Sequence, residues 1–272
     1  MVSGVPGGRA RSALAAGPAT RFADVRWVRE TGSTNADAMA LARDGGAEGI
    51  VLVADHQTAG RGRRDRVWEG PPDASLLLTV LLRPPAEVVD LCTMAVGVAA
   101  AEAVAAVAGF SPRLKWPNDL VWPGDGSAPD RKLAGILAEA DWASTAAPGV
   151  VVGIGINVSW PQDLPPELAD IAIACNHVTD HEVDRVDLLV AFLQRLEHWY
   201  AGLVATRDRE PLLAAWRSAS ATLGRSVRID LGREDLEGTA VDITSEGHLV
   251  VDLVDGGRRT ISVGDVTHLH HV

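Results

Sequence analysis

Four apolar runs, "GIVLVADHQ" from Gly49, "SLLLTVLL" from Ser75, "KLAGILAEA" from Lys132 and "VVVGIGINVSW" from Val150, set the strongest limit on how this chain folds. Each has strand length, is rich in β-branched or aliphatic residues, and is bounded by Gly, Pro or Asp turn signals. Segments of helical character precede, interrupt and follow them. "STNADAMALARDGG" starts on the hydroxyl caps Ser33 and Thr34 and stops at Gly45 and Gly46. "MAVGVAAAEAVAAVAGF" spans Met94 to Phe110, and helical periodicity returns over Asp187–Tyr200 and Glu210–Leu223. Buried strands together with these helices predict a mixed sheet carrying helices over the first two-thirds of the chain. From Gly224 the texture changes: "SVRIDL", "EGTAVDITSEGHLVVDLV" and "RRTISV" alternate apolar and polar residues, with turns at Glu246-Gly247 and Asp255-Gly256-Gly257. This predicts a small antiparallel barrel over 224–272.

At 272 residues and 47% hydrophobic, the chain is long enough for one large domain and one small one. The Ala-rich segment carries Glu102 and is too weakly apolar for a membrane span, so it reads as a buried helix. The N-terminal stretch is rich in Gly, Pro, Ala and Arg and lacks both acidic residues and an apolar signal core; residues 1–24 are expected to form a disordered tail. Cys92 and Cys175 lie far apart in apolar contexts, with neither zinc spacing nor a disulfide framework, and read as core residues of a reducing compartment. A net charge of −11 excludes a general nucleic-acid binder, which needs a broad basic face.

Against that acidity stands "AGRGRRDRVWEG", Ala59 to Gly70, in which four arginines alternate with glycines in the loop between two strands. Glycines let a backbone approach a ligand closely, and arginine forks suit carboxylate and phosphate. Taken alone, the segment is equally a solvated loop. "KWPND", Lys115 to Asp119, places a cation, an amide and a carboxylate around a proline at a strand end; a plain edge-strand turn has the same look. Lys132 heads an apolar strand, where it reaches a pocket or snorkels to solvent. Gly153 and Gly155 interrupt a strand, as a bulge or a close ligand approach would.

Taken together, "STN" at 33–35, "QTAGRGRR" at 57–64 with Trp68, "KWPND" at 115–119, "KLAGIL" at 132–137 with Glu139, and "GIGINV" at 153–158 resemble biotin protein ligase, from about residue 25 to the end. The resemblance implies an α+β fold: a mixed-sheet catalytic domain at 25–223, resembling class II tRNA synthetases, and a small SH3-like β-barrel at 224–272. It implies a ligase with ATP and biotin as substrates and Mg2+ as cofactor, which makes biotinyl-5'-AMP and passes biotin to a lysine of a biotin carboxyl carrier domain of acetyl-CoA carboxylase or a related carboxylase. Magnesium ligands stay unassigned.

Residue roles follow from the same resemblance. Arg63, Lys132, Asp119 and Lys115 form the catalytic set. Ser33, Thr34, Asn35, Gln57, Gly60, Arg61, Gly62, Arg63, Lys132, Gly135, Gly153 and Gly155 bind biotin, the last three leaving room for its bicyclic ring. Arg63, Arg64, Trp68, Lys115, Asn118, Lys132 and Asn157 bind ATP. The chain departs from the pattern at Asp65, where the family continues "GRGRRGR", and in the extra turn "WPGDGSAPD" at 122–130. The roughly 25 residues before the catalytic domain are too few for a winged helix-turn-helix, so a monofunctional, cytoplasmic enzyme is expected that binds neither DNA nor membrane; a homodimer is left open. The competing readings are a lipoate or octanoate ligase or transferase of the same fold, and a non-catalytic module that senses biotin or binds RNA through the arginine loop.

Overall fold

The computed structural model describes residues 6–124, 128–142, 148–232 and 234–269. In chain order these form α1 (Pro6–Ala16), β1 (Val25–Thr31), α2 (Thr34–Arg43), β2 (Val51–Gln57), β3 (Ser75–Leu82), α3 (Cys92–Ala108), β4 (Arg113–Lys115), β5 (Asp119–Trp122), β6 (Arg131–Asp141) and β7 (Gly149–Asn157). There follow α4 (Pro166–Ala169), α5 (Arg185–Thr206), α6 (Glu210–Ala219), β8 (Ser226–Asp230), β9 (Asp235–Ile243), β10 (Leu249–Leu253), β11 (Arg258–Ile261) and β12 (Asp265–His268). The four apolar runs become β2, β3, β6 and β7 of a seven-stranded sheet ordered β1-β2-β3-β7-β6-β5-β4. Only β1 and β2 pair in parallel.

Every residue of β3 and β7 is buried, because helices cover both faces of the sheet. Leu76, Leu78, Val80 and Leu82 of β3 join Val150, Val152, Ile154 and Ile156 of β7 in the main core, under α3 and α5. On the other face α2 packs Ala38, Met39 and Ala42 against Leu81 and Val151. Contrary to expectation, Ala86–Ala108 is long and apolar enough by length and composition to cross a membrane, but it is largely buried as the core helix that was expected; Cys92 and Cys175 are core residues whose thiols burial pushes up to about 12.

Several boundaries differ from the sequence expectation, among them the end of α5, which runs past the expected Tyr200 to Thr206, and three that particular contacts explain. The tail expected to be disordered over 1–24 is ordered from Pro6, with residues 1–5 outside the described residues. Ala10 and Leu14, spaced four apart, give α1 an apolar stripe that packs on α5, while Arg9 pairs with Asp184 at 3.0 Å and Phe22 is fully buried. Composition hid so short a stripe. Helix α5 starts two residues before the expected Asp187 because Asp184 caps it, accepting from the Val186 and Asp187 amides at 2.7 and 3.0 Å. Helix α6 stops four residues before the expected Leu223, since Ser220 turns extended and the Ala221 amide donates to Leu114 of β4 at 2.7 Å.

The C-terminal strands form a five-stranded antiparallel sheet, β11-β10-β9-β8-β12, whose inward residues include Val227, Ile229, Ala240, Leu249, Val251 and Val266. It docks beside the "KWPND" turn. The Trp116 indole is buried and donates to the Gly247 carbonyl at 3.1 Å; Gly247 has φ 79°, and a Cβ there would lie 2.8 Å from Met94 of α3. The extra turn at 122–130, of which 125–127 lie outside the described residues, delivers Asp130 to this junction. Asp130 accepts from His268 Nδ1 at 2.7 Å, Arg225 at 2.9 Å and the Gly124 amide at 2.9 Å. The Trp116 amide donates to Thr222 Oγ1 at 3.0 Å, and that hydroxyl lies 3.2 Å from His268 Nε2. The pattern fits a neutral His268 with its proton on Nδ1.

Burial alone would raise Asp130, but the bonds from His268 and Gly124 and the Arg225 charge hold its carboxyl well below the usual range. Burial lowers His268, and this outweighs the pull of Asp130. Both groups therefore bind fewer protons folded than unfolded, so their contribution is present above the unfolded His value and is lost on acidification. The melting temperature is expected to fall as pH drops from about 7 to about 5, and His268→Asn, which takes up no proton, should give a lower but flatter profile over that window. Parallel profiles for wild type and variant would remove His268 as the titrating group.

Candidate active site

The period-two alternation that sends the valines and isoleucines of β7 into the core leaves Gly153 and Gly155 on its opposite face. A Cβ on Gly153 would lie 2.0 Å from Asn35 Oδ1, and one on Gly155 would lie 2.6 Å from the Trp68 indole. Gly135 of β6, paired with Gly155, would meet Trp68 at 2.8 Å. The three glycines thus form a floor that other groups touch directly. A bulge in β6 adds to it: Leu120 pairs with Ala134 but Val121 pairs with Lys132, so Leu133 is the extra residue. Lys132 thereby shares the face of Gly135. Its Nζ lies 2.7 Å from Asp119 Oδ1 and 5.4 Å from the centre of the Trp68 ring.

One wall comes from the start of α2. Gln57 Oε1 accepts from the Thr34 amide at 2.7 Å and the Thr34 hydroxyl at 3.0 Å, which leaves the Gln57 amide group as a donor. Thr79 Oγ1 lies 2.8 Å from Thr34 Oγ1 and 2.7 Å from Asn35 Oδ1, and its single hydrogen serves one of them. Asn35 Nδ2 donates to the Leu137 carbonyl at 3.0 Å and to Glu139 at 2.9 Å. Ser33, at the N-cap, makes no side-chain bond to the helix and is buried at the cavity, so its hydroxyl is available to a ligand.

The arginine segment closes the opposite side as a narrow hairpin, with Gly62 N donating to Arg66 O at 2.7 Å and Trp68 N to Gly60 O at 3.0 Å. Arg61 pairs with Glu139 at 3.1 Å. Arg63 runs between the sheet and the barrel, donating to Asn118 Oδ1 and the Gly264 carbonyl at 3.3 Å each. Asp65 pairs with none of the arginines among the described residues, so it does not neutralise the loop.

These walls enclose a cavity of about 330 Å3. Five cations line it, Arg61, Arg63, Arg66, Lys115 and Lys132, against two carboxylates, Asp119 and Asp265. In a chain of charge −11, this is a local net charge of three positive. Burial lowers Lys115 from its ordinary value, more than Asp119 and Asp130 raise it, and it has no ion-pair partner within 4.0 Å among the described residues. The Trp68 Nε1 is buried without an acceptor. A half-buried cation without an ion-pair partner and an orphaned donor at one concavity mark a site built for an anionic, hydrogen-bonding guest.

Of the residues expected from sequence, Ser33, Thr34, Asn35, Gln57, Arg61, Gly62, Arg63, Trp68, Lys115, Asn118, Asp119, Lys132, Gly135, Gly153 and Gly155 converge on this cavity. Three do not line it. Gly60 serves the hairpin, where a Cβ would strike the Trp68 carbonyl at 2.4 Å; Arg64 turns to Asp230; and Asn157, at the end of β7, is buried and donates to the Ile173 carbonyl at 2.9 Å. The space over the glycines, expected to be open for a bicyclic ring, holds the Trp68 indole over Gly135 and Gly155 and the Asn35 carboxamide over Gly153. Sequence reasoning missed Thr79, Arg66 and the barrel segment Asp265–Thr267, which completes the lining. Arg66 stands in the loop already singled out; nothing in the sequence ties residues 265–267 to it.

Residues 33–157 match the biotin/lipoate A/B protein ligase family and residues 222–269 match the biotin protein ligase C-terminal domain. The chain is 39% identical over 270 residues to a biotin--[acetyl-CoA-carboxylase] ligase of Mycobacterium tuberculosis, covering 94% of this chain and 92% of that one. It is 31% identical to the ligase of the same name from Paracoccus denitrificans, over 88% and 98% of the two chains. The fold superposes on the biotin protein ligase of Aquifex aeolicus in complex with biotin and ATP with a TM-score of 0.76 and 26% identity, over 92% of this chain and all of that one. With the "GRGRR", "KWPND" and "KLAGIL" segments meeting at one cationic cavity and the barrel closing it, the chain belongs to the biotin protein ligase family.

Proposed function

We propose that this protein is an ATP-dependent biotin ligase that forms biotinyl-5'-AMP and transfers biotin to a lysine of a biotin carboxyl carrier domain, of acetyl-CoA carboxylase or a close relative. The observation that carries this reading is the net-positive cavity: five cations with a glycine floor and a polar wall, in an acidic protein. Biotin's carboxylate must reach an α-phosphorus that is itself surrounded by negative oxygen, and preorganised cations offset that repulsion and stabilise the charge that develops.

In the first step a carboxylate oxygen attacks the α-phosphorus and pyrophosphate leaves. Lys132 steadies the carboxylate and then the adenylate, while Arg61, Arg63 and Lys115 face phosphate. Ser33, Thr34 and the Gln57 amide group meet the ureido donors and acceptor, and Asn118 and Trp68 lie at the nucleotide side. In the second step the carrier lysine's amine attacks the acyl carbon, AMP leaves, and Asp119 takes up or orients the amine proton. Magnesium would enter with ATP and help offset the charge on its phosphates; the two carboxylates at the cavity, Asp119 and Asp265, are already paired with Lys132 and with the loop arginines, and among the described residues no three acidic, His or Cys side chains cluster as a resident metal site. The reaction needs neither DNA nor a membrane and belongs in the cytoplasm.

Mixing the protein with biotin, ATP, magnesium and a carrier domain is expected to give an avidin-reactive carrier, and omitting biotin or ATP abolishes it. A blank lane with all components present, or pyrophosphate exchange driven by lipoate and not biotin, would reject the reading. Lys132→Ala should slow adenylate formation by about 100- to 1000-fold, the usual cost of losing one preorganised charge-stabilising group, without unfolding the strand it heads. Near-normal single-turnover adenylation would refute that role.

Arg63→Gly separates formation of the intermediate from its retention. It removes contacts to Asn118 and the Gly264 carbonyl and frees an already glycine-rich loop. Biotinyl-AMP should then escape about ten- to a hundredfold faster. Because a mixed anhydride acylates any exposed amine, bulk serum albumin added with the carrier should become labelled by the variant and not by wild type. Equal retention and carrier-only labelling would show that Arg63 does not hold the intermediate.

A further inference from the structure

The arginine loop is tied to the barrel more firmly than to the cavity. Arg64 donates to Asp230 Oδ2 at 2.6 Å and to the Asp230 carbonyl at 2.9 Å; Arg66 pairs with Asp265; and Arg63 and Arg64 both reach Asp265 at 3.5 Å. Asp230 on β8 and Asp265 on β12 stand directly opposite each other in the antiparallel register. Like charges so placed destabilise a sheet, and no side chain other than these loop arginines pairs with either carboxylate among the described residues. The Gly232 amide donates to Asp230 Oδ1 at 2.5 Å, but among the described residues the only positive charges paired with the two carboxylates come from the loop.

The loop's backbone points the same way. Arg64 and Asp65 have φ 53° and 58°, two successive non-glycine residues in the left-handed region. Such a conformation persists where surrounding contacts over-determine it, and the contacts on this turn are those to Asp230 and Asp265.

We propose that the facing Asp230–Asp265 pair is a receptor for the arginine loop, and that through it the C-terminal barrel holds the cavity closed and keeps Arg63 at its mouth. The two aspartates are positioning residues, acting through arginines. What the closed loop retains, biotinyl-AMP, rests on the ligase reading above; that the loop is held does not.

Trypsin cuts after arginine, so digestion of the full chain reports on the loop directly. Cleavage at Arg61–Arg66 is expected to be slow in wild type, about tenfold faster in Asp265→Asn relative to sites elsewhere in the chain, and near wild type in Asp265→Glu, which keeps the charge. Raising salt to about 0.5 M should speed loop cleavage in wild type, again relative to other sites, and change it little in Asp265→Asn. Wild type whose loop ignores salt, or an Asn variant whose loop is cut at the wild-type rate, would overturn the proposal; the salt comparison needs no variant to fold. Biotinyl-AMP should leave Asp265→Asn about tenfold faster than wild type, and equal retention would also overturn the assigned role. If wild type forms no biotinyl-AMP at all, the ligase reading fails while proteolysis still decides the loop.

Discussion

The alternation along β7 is the constraint on which the site depends. A strand buried on both faces has only one periodicity to spend, and here its even-numbered residues fill the core while Gly153 and Gly155 stay bare on the other face. Asn35, Trp68 and, through Gly135, Lys132 all occupy positions that a Cβ on this floor would deny them. The helix start bearing Asn35, the hairpin bearing Trp68 and the bulge bearing Lys132 are separate pieces of chain. They converge because one patch of backbone lets them within contact distance. A methyl group at Gly155 would displace the indole and with it the end of the arginine hairpin, so the floor also sets where the loop begins to fold back.

Electrostatics then separates two scales. The chain as a whole is acidic, and at physiological ionic strength that charge is screened beyond about 8 Å. Within the cavity five cations face two carboxylates, partly out of water, where interaction between charges is stronger. The global charge thus says little about the site, and discourages non-specific binding of polyanions that the local charge would otherwise invite. Arg61 and Lys132 are each held by a carboxylate, Glu139 and Asp119, so their positions are set before any ligand arrives. Lys115 has no such partner, which leaves it the cation with most to gain from an anion.

Much of this was legible in the sequence, because strands and turns write their periods locally. The four apolar runs gave the sheet, the switch of texture at Gly224 gave the barrel, and "GRGRR", "KWPND" and "KLAGIL" fell on the cavity they suggested. What failed was what depends on distant partners. Helix α1 was invisible because its stability comes from α5, not from its own Gly- and Ala-rich composition. Asp130 looked like part of a polar insertion, yet it is buried against His268, 138 residues away. Asp265 carries no local signal of its role; it meets Arg66 across 199 residues. The short period of a strand cannot encode a contact of that range.

Asp65 brings side-chain charge and backbone conformation to bear on the same turn. As a departure from "GRGRRGR" it first reads as a charge problem, a carboxylate set among arginines. Its carboxylate pairs with none of them among the described residues, while its backbone has φ 58°. The position demands a left-handed residue, which glycine meets freely and Asp meets at a modest cost that most side chains would exceed. Replacing glycine there narrows the conformations open to the loop when it is loose, and so reduces the entropy lost when it closes. Two opposing effects therefore act at one residue, strain in the closed turn and restriction of the open one. The contacts from Arg64 and Arg66 to the facing aspartates decide between them in favour of the closed turn. A loop of glycines alone would depend on its ligand for order; this one has part of that order supplied by its own barrel.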